Sequence, residues 1–279
     1  MSLEPSDFNY IRELVRAKAG IVLEDGKEYL VDARLSTLIR QQKIESIPAL
    51  VARLKSCPID PLHKLVVEAM TTNETSFFRD HHPFDALAKQ VLPDLIAKRA
   101  ATKSISIWCG ASSTGQEPYT IAMTLLENFP KLATWKITFI ATDISAEMIA
   151  KSKAGKYNQI EINRGLPAPL MVKYFQKQGL EWQIHENLRK MIDFREMNLT
   201  SSWPAFPSLD IIFMRNVLIY FDANTKRDIL SRVRRVLKPD GYLFLGGAET
   251  TMCLDDAFER TQIEKSGIYR IKNLASKVA

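Results

Sequence analysis

The sequence predicts an α/β domain with a mostly parallel sheet, preceded by an all-helical domain. Up to residue 75, apolar side chains recur at helical spacing, whereas from about residue 104 short apolar runs of strand length alternate with helical segments. Apolar strands that alternate with helices are typical of a parallel sheet with helices on both faces. The length of 279 residues also fits about two domains.

The first domain is predicted to contain four helices. The first begins near Ser6 or Asp7, either of which can cap a helix with a side-chain oxygen. The other three follow apolar stripes, at residues 31–39, 49–54 and 62–69. On the second helix, at about 100° per residue, Arg40 and Lys43 fall opposite the apolar stripe and Arg34 lies at its edge.

The second domain is predicted from its apolar runs. These runs mark strands at residues 105–110, 136–143, 209–216, 241–249 and 267–272. Helices are expected from about Pro118, Ala146 and Asn224. A turn is expected at residues 238–241, and the last two strands are close enough along the chain to form an antiparallel pair. Residues 155–195 interrupt the alternation and are therefore expected to form an insert.

The composition excludes several classes of protein. Three cysteines, Cys57, Cys109 and Cys253, are odd in number and far apart, which argues against a disulfide framework or a CxxC metal site and indicates the cytoplasm. No uncharged apolar run approaches the roughly 18–20 residues that span a bilayer, and the first ten residues lack the pattern of a signal peptide. We therefore expect a cytoplasmic protein without membrane insertion.

The net charge of +6 indicates either a polyanionic partner or a lysine-rich solvated surface. Residues 1–75 carry 10 Lys and Arg against 11 Asp and Glu, so the surplus lies in the second domain. It is concentrated at residues 151–195, with 9 basic and 4 acidic side chains, and at 226–238, with 6 and 1.

A loop rich in small residues, WCGASSTGQE (108–117), joins the first strand of the sheet to its helix. Its glycines, Gly110 and Gly115, fit neither the G-x-G-x-x-G motif nor a P-loop. Glu117 would repel a pyrophosphate at this helix start and instead suits a cationic or hydroxyl-bearing ligand, and S-adenosylmethionine is both. The alternative is a glutamate that only stabilises the helix dipole.

Two further residues are candidates for an adenosine-containing cofactor. Asp143 ends the second strand and is placed to bind both ribose hydroxyls; the alternative is a helix N-cap, for which Ser145 competes. Asn198, in FREMNLT (194–200), would follow the third strand of the sheet, counted so that the strand at 209–216 is the fourth, and a side-chain amide there could contact the adenine edge.

A polar run, TTNETSFFRD (71–80), stands at the end of the helical domain. It is either a linker that caps a helix or a lid that places Asn73, Thr75 and Arg79 over the cofactor. Arg79 could hold a carboxylate at two points, and both the methionyl tail of the cofactor and an acidic substrate offer one.

The segment RNVLIYFD (215–222) follows the strand at 209–216. Arg215 and Asn216 are therefore expected at the carboxyl end of the strand, where such sheets bind ligands. Tyr220 either places its hydroxyl in the pocket or is a core residue with a satisfied hydroxyl.

Taken together, these segments resemble the CheR family of bacterial chemotaxis receptor methyltransferases. The motifs are TTNETSFFRD, ASSTGQEPYTIAM, ATDIS, RNVLIYFD and GYLFLGGAE, and the likeness extends over nearly the whole chain. The resemblance implies a helical domain at 1–75, a linker or lid at 76–92, and a Rossmann-like class I S-adenosylmethionine-dependent methyltransferase domain at 93–279. A small antiparallel β insert is implied at about 155–195.

The resemblance also implies the site. The implied cofactor contacts are Asn73, Thr75, Arg79, Glu117, Asp143, Asn198, Leu199, Arg215 and Asn216. Arg79 and Tyr220 are implied to position the reacting groups, and the basic helix that carries Arg34, Arg40 and Lys43 to face the methylation helices of a chemoreceptor.

The implied reaction gives glutamyl methyl esters and S-adenosylhomocysteine, without a metal and in a monomeric enzyme. Some members grip a receptor pentapeptide with a glycine-rich loop in the insert; here residues 174–194 contain the single glycine Gly179, so we predict no dependence on that pentapeptide. Two alternatives are a methyltransferase acting on nucleic acid or a small molecule, and a non-catalytic adaptor that binds the cofactor. The sequence lacks an aromatic-interleaved basic stripe, so no nucleic-acid partner is expected.

Overall fold

The computed structural model describes residues 3–261, 263 and 266–272. Its helices are α1 (Pro5–Ala19), α2 (Glu28–Gln42), α3 (Ile47–Ser56), α4 (Leu62–Ala69), α5 (His82–Ala86), α6 (Leu92–Lys98), α7 (Gln116–Asn128), α8 (Ala146–Ala154), α9 (Gln159–Asn163), α10 (Ala168–Tyr174), α11 (Glu186–Lys190) and α12 (Ala223–Val236). A π-helical turn, Leu87–Val91, joins α5 to α6, and short 3₁₀ helices lie at Pro130–Thr134 and Leu218–Tyr220.

The strands are β1 (Ser104–Gly110), β2 (Lys136–Asp143), β3 (Lys156–Asn158), β4 (Phe175–Gln178), β5 (Glu181–Ile184), β6 (Asp193–Glu196), β7 (Leu209–Met214), β8 (Leu237–Leu245), β9 (Phe258–Arg260) and β10 (Gly267–Ile271). The chain divides into two compact units. Of the described residues, the first unit comprises 3–72, 198–202 and 220–225, and the second comprises 73–197, 203–219 and those from 226 onwards.

The first unit is built on α1 to α4, as the apolar stripes predicted. Its core contains Ile11, Val31 and Leu50, all fully buried. The predicted start of the first helix is wrong: α1 begins at Pro5 and has no side-chain cap. Proline suits the first helical position because its fixed φ is already helical and its missing N–H would have been unpaired there.

One of the two later segments of the first unit, residues 220–225, pairs with the chain after α1. Ile21 forms an antiparallel bridge with Phe221, and the Val22 N–H donates to the Tyr220 carbonyl at 2.9 Å. From the sequence alone, residues 198–202 and 220–225 were expected in the second domain, because the predicted strands and helices of that domain lie on both sides of them along the chain.

The second unit is built around a large mixed sheet. Among the described residues, its strand order is β6-β2-β1-β7-β8-β10-β9. The first five of these strands are parallel, while β10 is antiparallel to both β8 and β9. The mostly parallel sheet and its antiparallel end are therefore confirmed. Parallel strands bring their carboxyl ends to one edge of a sheet, which positions the site described below.

The turn expected at residues 238–241 is part of an irregular strand. Leu237 pairs with Leu209 and Tyr242 pairs with Ile211, so the intervening residues bulge opposite Asp210. An ion pair stabilises the bulge: the Lys238 ammonium donates to both oxygens of the Asp210 carboxylate at 2.9 Å. The Lys-Pro-Asp-Gly sequence thus marks a bulge within β8.

The insert contains a small antiparallel sheet of order β3-β5-β4. Tyr157 on β3 and Phe175 on β4 are buried against Phe77, with ring centroids 5.1 and 5.6 Å from it. The last part of the predicted insert range differs from the rest, because β6 (Asp193–Glu196) pairs with β2 in the large sheet.

Candidate functional site

Asp143, the last residue of β2, supports the loop that follows β1. Its Oδ2 accepts the Ser113 N–H at 2.8 Å and its Oδ1 accepts the Ser145 N–H at 2.9 Å. Ser145 is the N-cap of α8, since its Oγ accepts the Met148 N–H. Both carboxylate oxygens of Asp143 therefore accept main-chain N–H groups, one from the loop and one from the start of α8. The N-cap of α8 is therefore Ser145 and not Asp143.

The loop after β1 has an unusual backbone conformation. Ala111 and Ser113 have positive φ angles of 54° and 50°, which residues with a Cβ rarely adopt. The Ser113 carbonyl accepts from the Ser152 hydroxyl at 3.0 Å, and the Thr114 carbonyl accepts from the Tyr157 hydroxyl at 2.7 Å. Backbone strain that the surroundings fix in this way is found preferentially at ligand sites.

Glu117, in the first turn of α7, is paired with Arg215, the residue that follows β7. The Arg215 Nη2 also donates to Asp80 Oδ2 at 2.6 Å and to the Arg79 carbonyl at 3.1 Å. The Glu117 carboxylate accepts from the Cys109 thiol at 3.4 Å. Burial, and then the charge of Glu117, raise the pKa of Cys109, so this thiol stays protonated near neutral pH.

The segment that follows the first unit is anchored by its backbone and by an aromatic ring. The Asn73 carbonyl accepts from the Ser113 hydroxyl at 2.7 Å, and the fully buried Phe77 packs on the insert. The side chains of Asn73, Thr75 and Arg79 stay partly exposed. Arg79 Nη1 donates to the Glu74 carbonyl at 3.0 Å. The segment therefore lies against the loop after β1 while its polar side chains remain accessible.

Asn216 continues the site beyond Arg215. It has a positive φ of 58°, and its N–H donates to Glu249 Oε2 at 2.8 Å. Glu249 and Asp80 are the two residues of this edge that the sequence analysis left without a role. Asp80 ends the TTNETSFFRD motif and Glu249 ends the GYLFLGGAE run, so the sequence signal for each was an acid at the end of a motif, which by itself gives no role.

Three of the residues implied for the cofactor and the reaction, Asn198, Leu199 and Tyr220, belong to the first unit. The Asn198 Nδ2 donates to the Lys18 carbonyl at 2.6 Å, and its Oδ1 accepts the Thr200 N–H at 2.9 Å. Leu199 is buried and Tyr220 is half-buried. The Asn198 amide therefore ties its own turn to the end of α1.

The three implied docking residues differ in what they contact. The Arg34 guanidinium donates to the Met70 carbonyl at 2.5 Å and to the Thr72 hydroxyl at 2.9 Å, which ties α2 to the end of α4. Arg40 and Lys43 are exposed. Arg34 is thus engaged within the unit, whereas Arg40 and Lys43 present charge to solvent.

The residues at the carboxyl ends of β1, β2 and β7 fit a cofactor with hydroxyl, ammonium and carboxylate groups. Ser112 Oγ and Arg215 Nε are buried and have no hydrogen-bond partner among the residues that the structure describes. An unpaired buried polar group costs about 1–3 kcal/mol, so a ligand that pairs with them would be stabilised. Asp143 and Glu117 add two carboxylates. This donor and acceptor set matches S-adenosylmethionine.

No helix in the described part of the chain is both long and apolar enough to cross a membrane. A group of three or more His, Cys, Asp or Glu side chains that could hold a metal ion is absent from residues 3–261, 263 and 266–272.

Two family models match the chain. The model described as "CheR methyltransferase, all-alpha domain" matches residues 6–71, and the one described as "CheR methyltransferase, SAM binding domain" matches residues 73–266. The first match covers the four N-terminal helices from Ser6 onwards. The second covers the large sheet except β10, the insert, and the loops that carry Glu117, Asp143 and Arg215.

Curated relatives agree with the family models. This chain is 41% identical over 277 residues to chemotaxis protein methyltransferase 1 of Pseudomonas aeruginosa, covering 98% of this chain and 100% of the relative. It is 40% identical over 276 residues to chemotaxis protein methyltransferase Cher2 of Pseudomonas putida, covering 98% and 100%. It is 37% identical over 275 residues to a chemotaxis protein methyltransferase of Vibrio anguillarum, covering 98% and 99%. With matches of this extent and identity, the chain belongs to the CheR methyltransferase family.

Proposed function

We propose that this chain is a chemotaxis protein methyltransferase that transfers a methyl group from S-adenosylmethionine to glutamate side chains of chemoreceptors. The products are glutamyl methyl esters and S-adenosylhomocysteine. The observation that carries the proposal is the pair of carboxylates, Glu117 in the first turn of α7 and Asp143 at the end of β2, together with the buried Arg215 that pairs with Glu117. Membership of the family, and the names of relatives at about 40% identity, support the chemoreceptor as substrate.

In the proposed cofactor site, Asp143 holds the ribose hydroxyls and Glu117 holds the ammonium of the methionyl tail. Arg215 keeps the Glu117 carboxylate in place through their ion pair. The remaining contacts come from a wider set of residues: Asn73, Thr75, Arg79, Asn198, Leu199, Arg215 and Asn216. S-adenosylmethionine supplies a methyl group already activated by the sulfonium charge.

The substrate carboxylate needs no general base, because glutamate titrates near ~4.3 and is ionised at neutral pH. The protein therefore has to align the carboxylate oxygen with the methyl group and to exclude water. We assign this orientation to Arg79 and Tyr220. A full salt bridge to Arg79 would weaken the oxygen as a nucleophile, so Arg79 directs the carboxylate without neutralising it.

The proposed enzyme works as a monomer in the cytoplasm, without a metal, without membrane insertion and without a nucleic-acid partner. The exposed basic residues Arg40 and Lys43 dock the methylation helices of the receptor, and Arg34 supports their helix from within the unit. The insert turns at Gly179, the single glycine of residues 174–194. We therefore expect calorimetry to detect no micromolar binding of a receptor C-terminal pentapeptide; such binding would contradict this part of the proposal.

The proposal is tested by incubating the enzyme with tritiated S-adenosylmethionine and receptor-containing membranes. Label that base releases as methanol marks a carboxyl ester and supports the proposal. Label on nucleic acid or on a small molecule would indicate a different methyltransferase. Cofactor binding without any transfer would indicate a regulatory adaptor.

A further inference from the structure

The loop after β7 is held by one carboxylate, that of Glu249. Its Oε1 accepts the N–H groups of Val217, Leu218 and Ile219 at 2.8, 2.7 and 3.3 Å. Its Oε2 accepts the Asn216 N–H at 2.8 Å and the Gly246 N–H at 2.6 Å. Bonds from N–H groups to a charged acceptor are about twice as strong as neutral ones, so one side chain fixes the backbone from Asn216 to Ile219.

The end of β8 is shaped to admit this carboxylate. A Cβ at Gly246 would lie 2.8 Å from Glu249 Oε2 and 2.8 Å from Asn216 Nδ2, closer than real Cβ contacts. Only glycine therefore lets the strand, the carboxylate and the loop meet. Glu249 is itself buried, with 7% of its surface exposed.

The fixed loop contains a conformation that needs support. Asn216 has a φ of 58°, in the left-handed region, which favours glycine and which asparagine adopts more readily than most other residues with a Cβ. Asn216 and its neighbour Arg215 are both proposed to contact the cofactor. The Glu249 carboxylate accepts the N–H of Asn216 and those of the three residues that follow it.

We propose that Glu249 is a positioning residue for methyl transfer. Its carboxylate fixes the backbone of the loop so that Arg215 and Asn216 are presented to the cofactor, although Glu249 itself binds only main-chain N–H groups there. This inference rests on the proposed function, since it assumes that the carboxyl ends of β1, β2 and β7 bind S-adenosylmethionine.

The test is Glu249→Gln. The amide keeps one acceptor oxygen but places an NH₂ group where the other oxygen accepted, so at least two backbone N–H groups then face a donor. We expect S-adenosylhomocysteine to bind about tenfold more weakly in calorimetry, and kcat for methyl transfer to fall at saturating cofactor. If this variant does not fold, Glu249→Asp keeps the charge but shortens the side chain by one methylene, which draws the carboxylate away from the loop N–H groups, and the same losses are expected.

The matched control is Asp210→Asn, which alters a carboxylate that is equally enclosed but lies at the other end of β7. Asp210 is fully buried and accepts from the Ser106 N–H at 2.8 Å and from Arg99 Nε at 2.8 Å. At about 3.3 Å per residue, Asp210 is roughly 16 Å from Arg215 along the strand. We expect this variant to lower the melting temperature at least as much as Glu249→Gln, with cofactor affinity unchanged below the melting transition.

The outcomes distinguish a failure of the positioning role of Glu249 from a failure of the proposed cofactor site. Weak cofactor binding in Glu249→Gln alone supports the positioning role. Equal weakening in Asp210→Asn would show that any loss of stability has this effect, and wild-type affinity in Glu249→Gln would remove the role; either result overturns the inference. Wild-type affinity in Asp143→Asn would instead count against the proposed cofactor site itself.

Discussion

Asp143 is the residue on which we expect cofactor binding to depend most. Replacing it with asparagine keeps its size but removes the charge and one acceptor, so a ribose hydroxyl and the Ser113 N–H would compete for what remains. We expect the affinity for S-adenosylmethionine to fall by about 1–3 kcal/mol, the cost of leaving buried polar groups unpaired. Titration calorimetry on the folded variant measures this loss.

Ser145→Ala is the control for this prediction. It removes the N-cap of α8 but leaves the Asp143 carboxylate in place. We expect a loss of about 1 kcal/mol in the free energy of unfolding, with little change in affinity. Equal losses of affinity in both variants would indicate that Asp143 acts only through the loop and the cap.

Tyr220 is expected to act on the reaction rate more than on cofactor binding. Tyr220→Phe removes only the hydroxyl, so kcat should fall while the dissociation constant for S-adenosylhomocysteine changes little. Tyr242→Phe removes a hydroxyl that donates to Asp94 at 2.9 Å and should leave kcat unchanged. Wild-type turnover in Tyr220→Phe would remove Tyr220 from the mechanism.

The sequence was informative about single residues where position carries the meaning. Asp143 could be singled out because it ends a strand, and Glu117 because it begins a helix at the same sheet edge. Glu249 could not be assigned a role in this way. Its carboxylate binds main-chain N–H groups, which every residue except proline has, so no particular partner residue in the sequence points to it. The positive φ angle of Ser113 likewise leaves no trace in residue type, since serine is not a residue that favours the left-handed region.

At the scale of elements, the insert supports the site through β3. The Tyr157 hydroxyl on this strand donates to the Thr114 carbonyl in the loop after β1, and its ring packs on Phe77. Tyr157→Phe removes the hydrogen bond to Thr114 but keeps the aromatic ring that packs on Phe77. We expect it to lower the free energy of unfolding by about 1 kcal/mol and also to weaken cofactor binding, because the loop loses one of its supports.

Tyr119→Phe is matched to this change, because it too removes one buried hydroxyl that donates to a carbonyl. Tyr119 donates to Ser152 at 2.6 Å, at α8 and not in the loop. Thermal unfolding and calorimetry of both variants compare the two effects. If both variants bind the cofactor like the wild type, the insert does not support the loop in the way proposed.

The second element with a testable role is α2. Arg40→Glu combined with Lys43→Glu reverses two exposed charges, so we expect a higher KM for the receptor and a weaker dependence of KM on salt. Arg34→Ala should instead lower stability, because its guanidinium holds the Met70 carbonyl and the Thr72 hydroxyl. Initial rates at two ionic strengths make the comparison; an unchanged KM in the double variant would rule out docking by this face.

Elements were predicted best where the apolar pattern was long and simple. The strand predicted at 136–143 is β2 to the residue, and the helix expected from about Ala146 is α8. The Lys-Pro-Asp-Gly segment was expected as a turn because its residues favour turns, but pairing with β7 on both sides keeps it within β8. Local preference is overridden there by pairing that only the folded sheet provides.

At the scale of the whole molecule, several carboxylates favour their ionised form in the folded state. A hydrogen bond from Arg99 lowers the pKa of Asp240, and one from Lys173 lowers the pKa of Glu127. A lowered pKa stabilises the fold above the unfolded pKa of about 4, and this stability is lost as the pH falls through the folded pKa. We therefore expect the free energy of unfolding to fall below about pH 4.

Asp240→Asn checks this pH dependence. The variant cannot ionise at this position, so we expect it to be less stable than the wild type near neutral pH and to lose less stability on acidification. Urea unfolding at neutral pH and at about pH 3.5 measures both quantities. Parallel losses in the two proteins would contradict the assignment of this dependence to the Arg99–Asp240 pair.

The exact division of the chain into two units was the feature least predictable from the sequence. Residues 198–202 and 220–225 group with the N-terminal helices, although they stand among strands and helices of the second unit. The bonds that hold them, such as that from the Asn198 amide to the Lys18 carbonyl, join residues far apart in the chain. Periodicity reports only on neighbours within a helix or strand, so it could not reveal this grouping.

The central claim is that this chain esterifies glutamates of a chemoreceptor. The most direct measurement is mass spectrometry of a purified receptor cytoplasmic fragment, incubated with S-adenosylmethionine and either the wild-type enzyme or Tyr220→Phe. We predict a mass increase of one methylene unit per modified site, located on glutamate side chains, reversed by mild base and slowed in the variant. A fragment that gains no mass, or one methylated on another residue type in a base-stable form, would contradict the claim.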